Sequence, residues 1–182
     1  MRLIQDAGAT IDSESRVHIP ADLVKWALEQ APHQFKIADR TGRIWQLSPQ
    51  EGTMVLTGNA LHITRGKVRT DLGSRDLEQL ARLVDACDHI HGMVGTSIAD
   101  YPPTTRDFVG FRVMAGNTGK HLRPCIYTPA GARTVMEMAK VLLEGTTLRE
   151  RPIVSTGFSI ISPLHWPSLV HRPINSLYYV VP

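Results

Sequence analysis

Three groups of side chains in this 182-residue chain have types and spacings that suit chemistry. One consists of polar residues at the far ends of short apolar runs. Ser97, Asp100 and Tyr101 end or follow Ile90–Ile98, Tyr127 and Thr128 end or follow Leu122–Tyr127, and Ser159, Ser162 and His165 end or follow Ile153–Ile161. A second is His89-Ile90-His91: on a strand both imidazoles face one way, and such a pair binds zinc when further ligands converge. The third combines Ser155, Ser159 and Ser162 with His121 and His165, the materials of a nucleophile and its base. No GxSxG elbow surrounds any of these serines, which removes the usual support for a hydrolytic triad. A GxGxxG after the first run, a GxxxxGK[ST] loop and a CxxC pair are also missing from the sequence, so neither a nucleotide phosphate site nor a thiolate zinc site is indicated.

These groups need a scaffold, and the apolar runs supply it. Between the three runs lie two helix-like segments, Thr105–Ala115 and Pro129–Glu144. Strand, helix, strand, helix, strand is the pattern of parallel βαβ units, whose crossovers are right-handed. Thr128-Pro129 opens the second helix with a side-chain oxygen for a free backbone N–H and a ring suited to the first helical position. Ahead of the first run, Ser74 reads as the N-cap of a helix that Leu77, Leu80, Ala81, Val84 and Cys87 carry to Asp88. Gly116 and Gly119 are expected to stop the Thr105 helix, with Lys120 and His121 neutralising its last carbonyls.

In a doubly wound sheet and in a barrel alike, ligands sit at the carboxyl ends of the strands. That rule favours the first group of residues. It also sets His89 and His91 at the start of a strand, where structural roles dominate.

The earlier part of the chain has another character. Met1–Ile11 resembles the tail of a helix, Val17-His18-Ile19 is a short extended piece, and Ala21–Gln30 is a helix between Pro20 and Pro32, with Leu23, Trp26, Ala27 and Gln30 on one face. Phe35–Thr70 holds short β-rich pieces (FKIAD, RIWQL, TMVLTG, LHITR, KVRT) punctuated by glycines, which reads as an antiparallel meander or a pair of hairpins. Trp45 is expected to serve as packing mass. The regions are therefore 1–73, an N-terminal helix and β-meander; 74–166, the βα units; and 167–182, an atypical tail.

Composition narrows the partners. Apolar residues make up 42% and charged residues 20%, a globular balance with a formal net charge of only +3. The lysines and arginines are scattered, unlike the concentrated footprint of a nucleic-acid groove. No stretch approaches the ~20 apolar residues that span a bilayer, and the N-terminus lacks a signal-peptide core. Cys87 and Cys125 read as buried small hydrophobes in a reducing cytoplasm.

Three stretches in order, DLEQLARLVDACDHIH (Asp76–His91), NTGKH (Asn117–His121) and RERPIVSTGFSIISPL (Arg149–Leu164), resemble the trimethylamine methyltransferase family. AGATIDSESRVHIPADLVKWALEQAP and VLTGNALHI are similar to the early region of the same family, so the resemblance runs to about Trp166. It implies an α/β fold, a (β/α)8 TIM barrel of which this chain supplies the first part, about three βα units, preceded by an N-terminal helical and antiparallel β region. It implies transfer of a methyl group from trimethylamine or a quaternary amine such as glycine betaine to the Co(I) corrinoid of a partner protein, with no cofactor or metal bound directly. At the strand ends, Tyr101, Tyr127, Ser159 and His165 are then the residues expected to hold the substrate, aromatic faces being suited to a quaternary cation.

Two other readings stay open at this point: a non-catalytic binding module, and a metal-dependent barrel hydrolase resting on His89 and His91. The family pattern continues after Leu164 into a helix, where this chain has Pro167 and Pro173; a proline costs about 3 kcal/mol inside a helix. The chain therefore reads as an N-terminal fragment, inactive in isolation, whose exposed strand edge invites pairing with another copy.

Overall fold

A computed structural model describes residues 2–14, 16–50, 53–95 and 97–157. Ser159, Ser162, His165 and the tail from Pro167 lie outside the described residues. The chain divides into two units, Met1–Phe35 and Lys36–Pro182.

The first unit contains α1 (Arg2–Asp6), an antiparallel pair of β1 (Thr10–Ile11) and β2 (Val17–His18), and α2 (Ala21–Gln30). One carboxylate organises its turn: Asp12 accepts the backbone N–H groups of Glu14 and Arg16 and lies 2.8 Å from His18 Nε2. α2 has the bounds its apolar spacing predicts, beginning after Pro20 and ending at the extended Ala31 that precedes Pro32. Its apolar side opens into a groove of about 410 Å³ lined by Ile4, Ile19, Leu23 and Ala27.

The second unit continues with β3 (Phe35–Ala38), β4 (Ile44–Leu47), β5 (His62–Arg65), β6 (Val68–Asp71), α3 (Ser74–Asp85), β7 (Gly92–Val94), α4 (Arg106–Asn117), β8 (His121–Arg123) and α5 (Pro129–Val141). β3 and β4 form one hairpin and β5 and β6 another, as the β-rich region predicts. β7 and β8 are parallel, with Met93 beside Leu122. Single parallel pairings flank them, Leu56 beside Gly92 and Val154 beside Leu122. The His91 N–H to Val55 carbonyl bond is 2.8 Å and the Ser155 N–H to Leu122 carbonyl bond 3.1 Å. Segments 55–57, β7, β8 and 153–155 thus lie side by side in chain order.

The first of these corrects the reading of TMVLTG as part of an antiparallel meander. A short β-rich run carries no direction of its own. Direction follows from the connection, and β5, β6 and α3 together are long enough for a parallel crossover.

One face of the parallel strands is packed by helices. Met93 and Leu122 join Leu77 and Ala81 of α3, Phe111 and Met114 of α4, and Val135 and Ala139 of α5 in a single buried cluster. The amino ends of the strands are covered by the β3–β4 hairpin, whose Ala38 N–H donates to Pro152 and whose Arg40 N–H donates to Gly119.

Helix ends show where local signals hold and where tertiary contacts override them. Thr128 caps α5 as expected, accepting the Gly131 N–H at 2.9 Å with Pro129 in the first turn. At α3 the cap position belongs to Gly73 rather than Ser74. Asp76 reaches back to the Gly73 N–H, and Asp100 accepts from both the backbone and the hydroxyl of Ser74. α4 runs through Gly116 to Asn117, whose amide donates to the Val113 carbonyl.

Lys120 neutralises a different helix from the one its sequence neighbourhood suggests. Its ammonium donates to the carbonyls of Val84 and Cys87, at the end of α3. The α4 carbonyls of Ala115 and Thr118 are taken by the Arg40 guanidinium instead. Replacing Lys120 with methionine should cost about 1 kcal/mol, the scale of a charge-assisted bond at a helix carboxyl end; chemical denaturation at neutral pH measures it. Cys87 and Cys125 are half-buried thiols, not the fully buried ones their apolar neighbours suggest.

Candidate functional site at the strand ends

Three side chains from three successive strand ends meet at the carboxyl edge. Asn59 follows the 55–57 segment, Ser97 follows β7, and Tyr127 follows β8. The Asn59 amide donates to Ser97 Oγ at 3.0 Å, and Ser97 Oγ lies 2.5 Å from the Tyr127 phenol oxygen. Below them the Val94 N–H donates to Thr57 Oγ1 at 2.9 Å, tying the first two strand ends together.

Backbone geometry makes the meeting feasible. β7 is followed by Gly95, whose φ of 119° lies in the left-handed region, and a Cβ there would stand 2.6 Å from Asn59 Oδ1. Tyr127 is held from below by Asp107 of α4. This fully buried carboxylate accepts from the Tyr127 N–H, the Thr128 N–H and the Thr128 hydroxyl, at 3.4, 3.3 and 3.1 Å. Burial raises the Tyr127 phenol above its ordinary pKa, while the bond to Ser97 works in the opposite direction. At neutral pH the ring therefore presents a neutral hydroxyl. Behind Asn59 and Ser97 a cavity of about 110 Å³ is closed by Leu72, Leu77 and Met93.

The residues singled out from sequence have different fates. Ser97 and Tyr127 come together. Tyr101 stands on the loop before α4 with its side chain open to solvent, and it is the Tyr101 carbonyl that is engaged, by Arg106 Nε at 2.9 Å. Asp100 and Thr128 serve as helix caps. Asn59 was legible only as a turn residue, since the strand-end rule reaches it only once 55–57 is known to be a parallel strand.

The amino end holds His89, His91 and His121. His89 is exposed in the turn after α3, and β7 begins only at Gly92, so His89 and His91 do not share a strand face. His91 Nδ1 accepts the Val55 N–H at 3.0 Å, and its ring meets Trp45 edge-on at 5.6 Å. Trp45 is thus packing mass, as its sequence context suggests. No group of three His, Cys, Asp or Glu side chains is placed to share an ion among the described residues.

His121 is fully buried, with Nδ1 2.9 Å from the Ala38 carbonyl and Nε2 2.8 Å from Ser155 Oγ. A carbonyl only accepts, so Nδ1 carries the proton and Nε2 accepts from the Ser155 hydroxyl. Burial lowers the His121 pKa, outweighing the bonds that raise it. One serine–histidine pair suggested by the residue types therefore exists, and it joins the hairpin to the strands.

The family model for trimethylamine methyltransferase (MTTB) matches residues 1–177 of the chain. No curated protein matches it.

Proposed function

The chain belongs to the trimethylamine methyltransferase family, and from that membership we propose that it takes part in moving a methyl group from a methylated amine to the Co(I) corrinoid of a separate protein. The family is one of methyltransferases acting on methylamines; the corrinoid acceptor and the site are our reading. The observation that carries the site is the Asn59–Ser97–Tyr127 chain of hydrogen bonds across three adjacent strand ends. Four parallel segments in chain order, with helices on one face, support placing them in a (β/α)8 barrel, where this edge is the ligand-binding edge.

The reaction asks little of the protein beyond alignment. A Co(I) corrinoid brought by its carrier supplies the nucleophile. The chain's part is to hold the C–N bond in line and keep water away. Tyr127 offers an aromatic face to an ammonium group, worth about 0.5–2 kcal/mol. Ser97 fixes the ring by its hydroxyl, and Asn59 fixes Ser97. Among the described residues, the imidazoles next to the parallel strands, His91 and His121, sit at the opposite end.

Replacing Tyr127 with alanine should weaken binding of a methylated amine about tenfold, the scale of one cation–π contact. Isothermal calorimetry reads the affinity, and loss of the Co(I) absorption spectrum in the presence of a corrinoid protein reads the transfer. An unchanged affinity in this variant would move the site away from Tyr127.

A further inference from the structure

A cationic hairpin stands on the same edge as the candidate site. β5 and β6 follow shortly after Asn59, and the Leu72 N–H closes their base on the Leu61 carbonyl at 3.0 Å. The Ala99 N–H donates to the Leu72 carbonyl at 2.8 Å, and Asp100 holds Ser74. The hairpin is thereby anchored to the loop that carries Tyr101.

Residues 62–75 hold Arg65, Lys67, Arg69 and Arg75 against a single carboxylate, Asp71, which is taken up by His62 at 3.0 Å. The register sets Arg69 opposite Thr64 on one face and Arg65 opposite Val68 on the other. Lys67 lies in the turn between them, and β6 is exposed along its whole length. The tip is therefore cationic on both faces and at its end. Arg65 meets Asp76 of α3 at 2.5 Å. Among the described residues Lys67, Arg69 and Arg75 form no ion pair. Single unpaired cations are ordinary on a surface, but here three share one projecting element. Tyr101, next to Asp100, adds an exposed aromatic ring, and arginine and tyrosine are the side chains that most often anchor protein interfaces.

We propose that the β5–β6 hairpin and Tyr101 form the docking surface for a carboxylate-rich face of the protein that carries the corrinoid. The inference rests on the methyl-transfer reading above and assigns the surface on this chain where the two proteins meet. A hairpin with cations on both faces and at its turn presents charge to the walls of a concave acidic surface. Such charges act mainly on the rate of encounter, and salt screens them. Nucleic acid fits less well, because residues 62–75 include no Phe, Tyr or Trp on which a base could stack.

Biolayer interferometry of the full chain against a purified corrinoid protein loaded with hydroxocobalamin tests this. Association should slow about tenfold between roughly 50 and roughly 500 mM NaCl. Lys67→Glu combined with Arg69→Glu should slow it about tenfold in the dilute salt and about twofold in the concentrated one. Tyr101→Ala should leave association unchanged and raise the dissociation rate about tenfold. Lys36→Glu, in β3 at the amino end, should change neither rate. Thermal melts of all these variants should match the parent, since the altered side chains are exposed. An association rate that the double charge reversal does not move overturns this surface alone. A chain that binds no corrinoid protein overturns the corrinoid acceptor with it. A DNA duplex of about 20 base pairs that binds more tightly than the corrinoid protein, and is released by the same reversal, overturns the proposal in favour of nucleic acid.

Discussion

Replacing Gly131 with alanine should destabilise the second unit by about 3 kcal/mol, although helix propensity alone predicts a gain of about 1 kcal/mol. Gly131 sits in the first turn of α5, where its N–H is held by Thr128, and a Cβ would collide with the Asp107 carboxylate. Asp107 has nowhere to retreat, being fully buried and bonded to the Tyr127 and Thr128 backbone. Overpacking costs about 1–3 kcal/mol, and a disturbed bond to a buried charged group a further 1.5–3, so the clash outweighs propensity. A fall of roughly 10 °C in melting temperature is the expected readout. A variant that melts at or above the parent temperature would show that the α4–α5 contact yields easily.

The second large effect is expected at His121. Its replacement by leucine keeps the apolar bulk but leaves the buried Ala38 carbonyl and the half-buried Ser155 hydroxyl without this partner, at about 2 kcal/mol. The penalty should depend on pH. The folded-state pKa of His121 lies below its ordinary value because of burial, so the unfolded chain binds the proton more tightly. The stability that the neutral imidazole contributes is therefore complete above the unfolded pKa of about 6.5 and is lost as pH falls through the folded pKa. Urea denaturation of parent and His121→Leu at pH 7 and pH 5 should show the gap narrowing in acid. A gap that widens at pH 5 would mean that the imidazole is charged in the folded chain.

Elements set by local chemistry were legible from the amino acids. α2 has the bounds that its apolar spacing and flanking prolines predict, and Thr128 caps α5 through the side-chain oxygen that made it recognisable. The two hairpins follow from β-rich runs broken by glycine, with Gly66 turning at φ 61° between β5 and β6. What was not legible depended on partners distant in the chain. The direction of 55–57 is set by Gly92, the end of α3 is neutralised by Lys120 from across the fold, and the carbonyls of α4 wait for Arg40.

The site divides in the same way. Tyr127 and Ser97 were found because strand ends carry ligands in parallel folds. Asn59 was hidden because its strand was read as part of a meander. The histidine pair failed in the opposite sense. Its spacing is right for a shared face, but the strand begins one residue after His91.

The covering of the amino ends by the β3–β4 hairpin has a temporal side. Arg151 Nε donates to the Asp39 carbonyl from 112 residues further on, and His121 reaches Ala38 from 83 residues further on. On the ribosome the hairpin emerges first and cannot dock until those segments follow. At roughly 10 residues per second these two waits are on the order of ten seconds, and until the shorter one ends the hairpin has neither tether. Chaperone contact with nascent chains should therefore concentrate on chain lengths between β4 and Ile153.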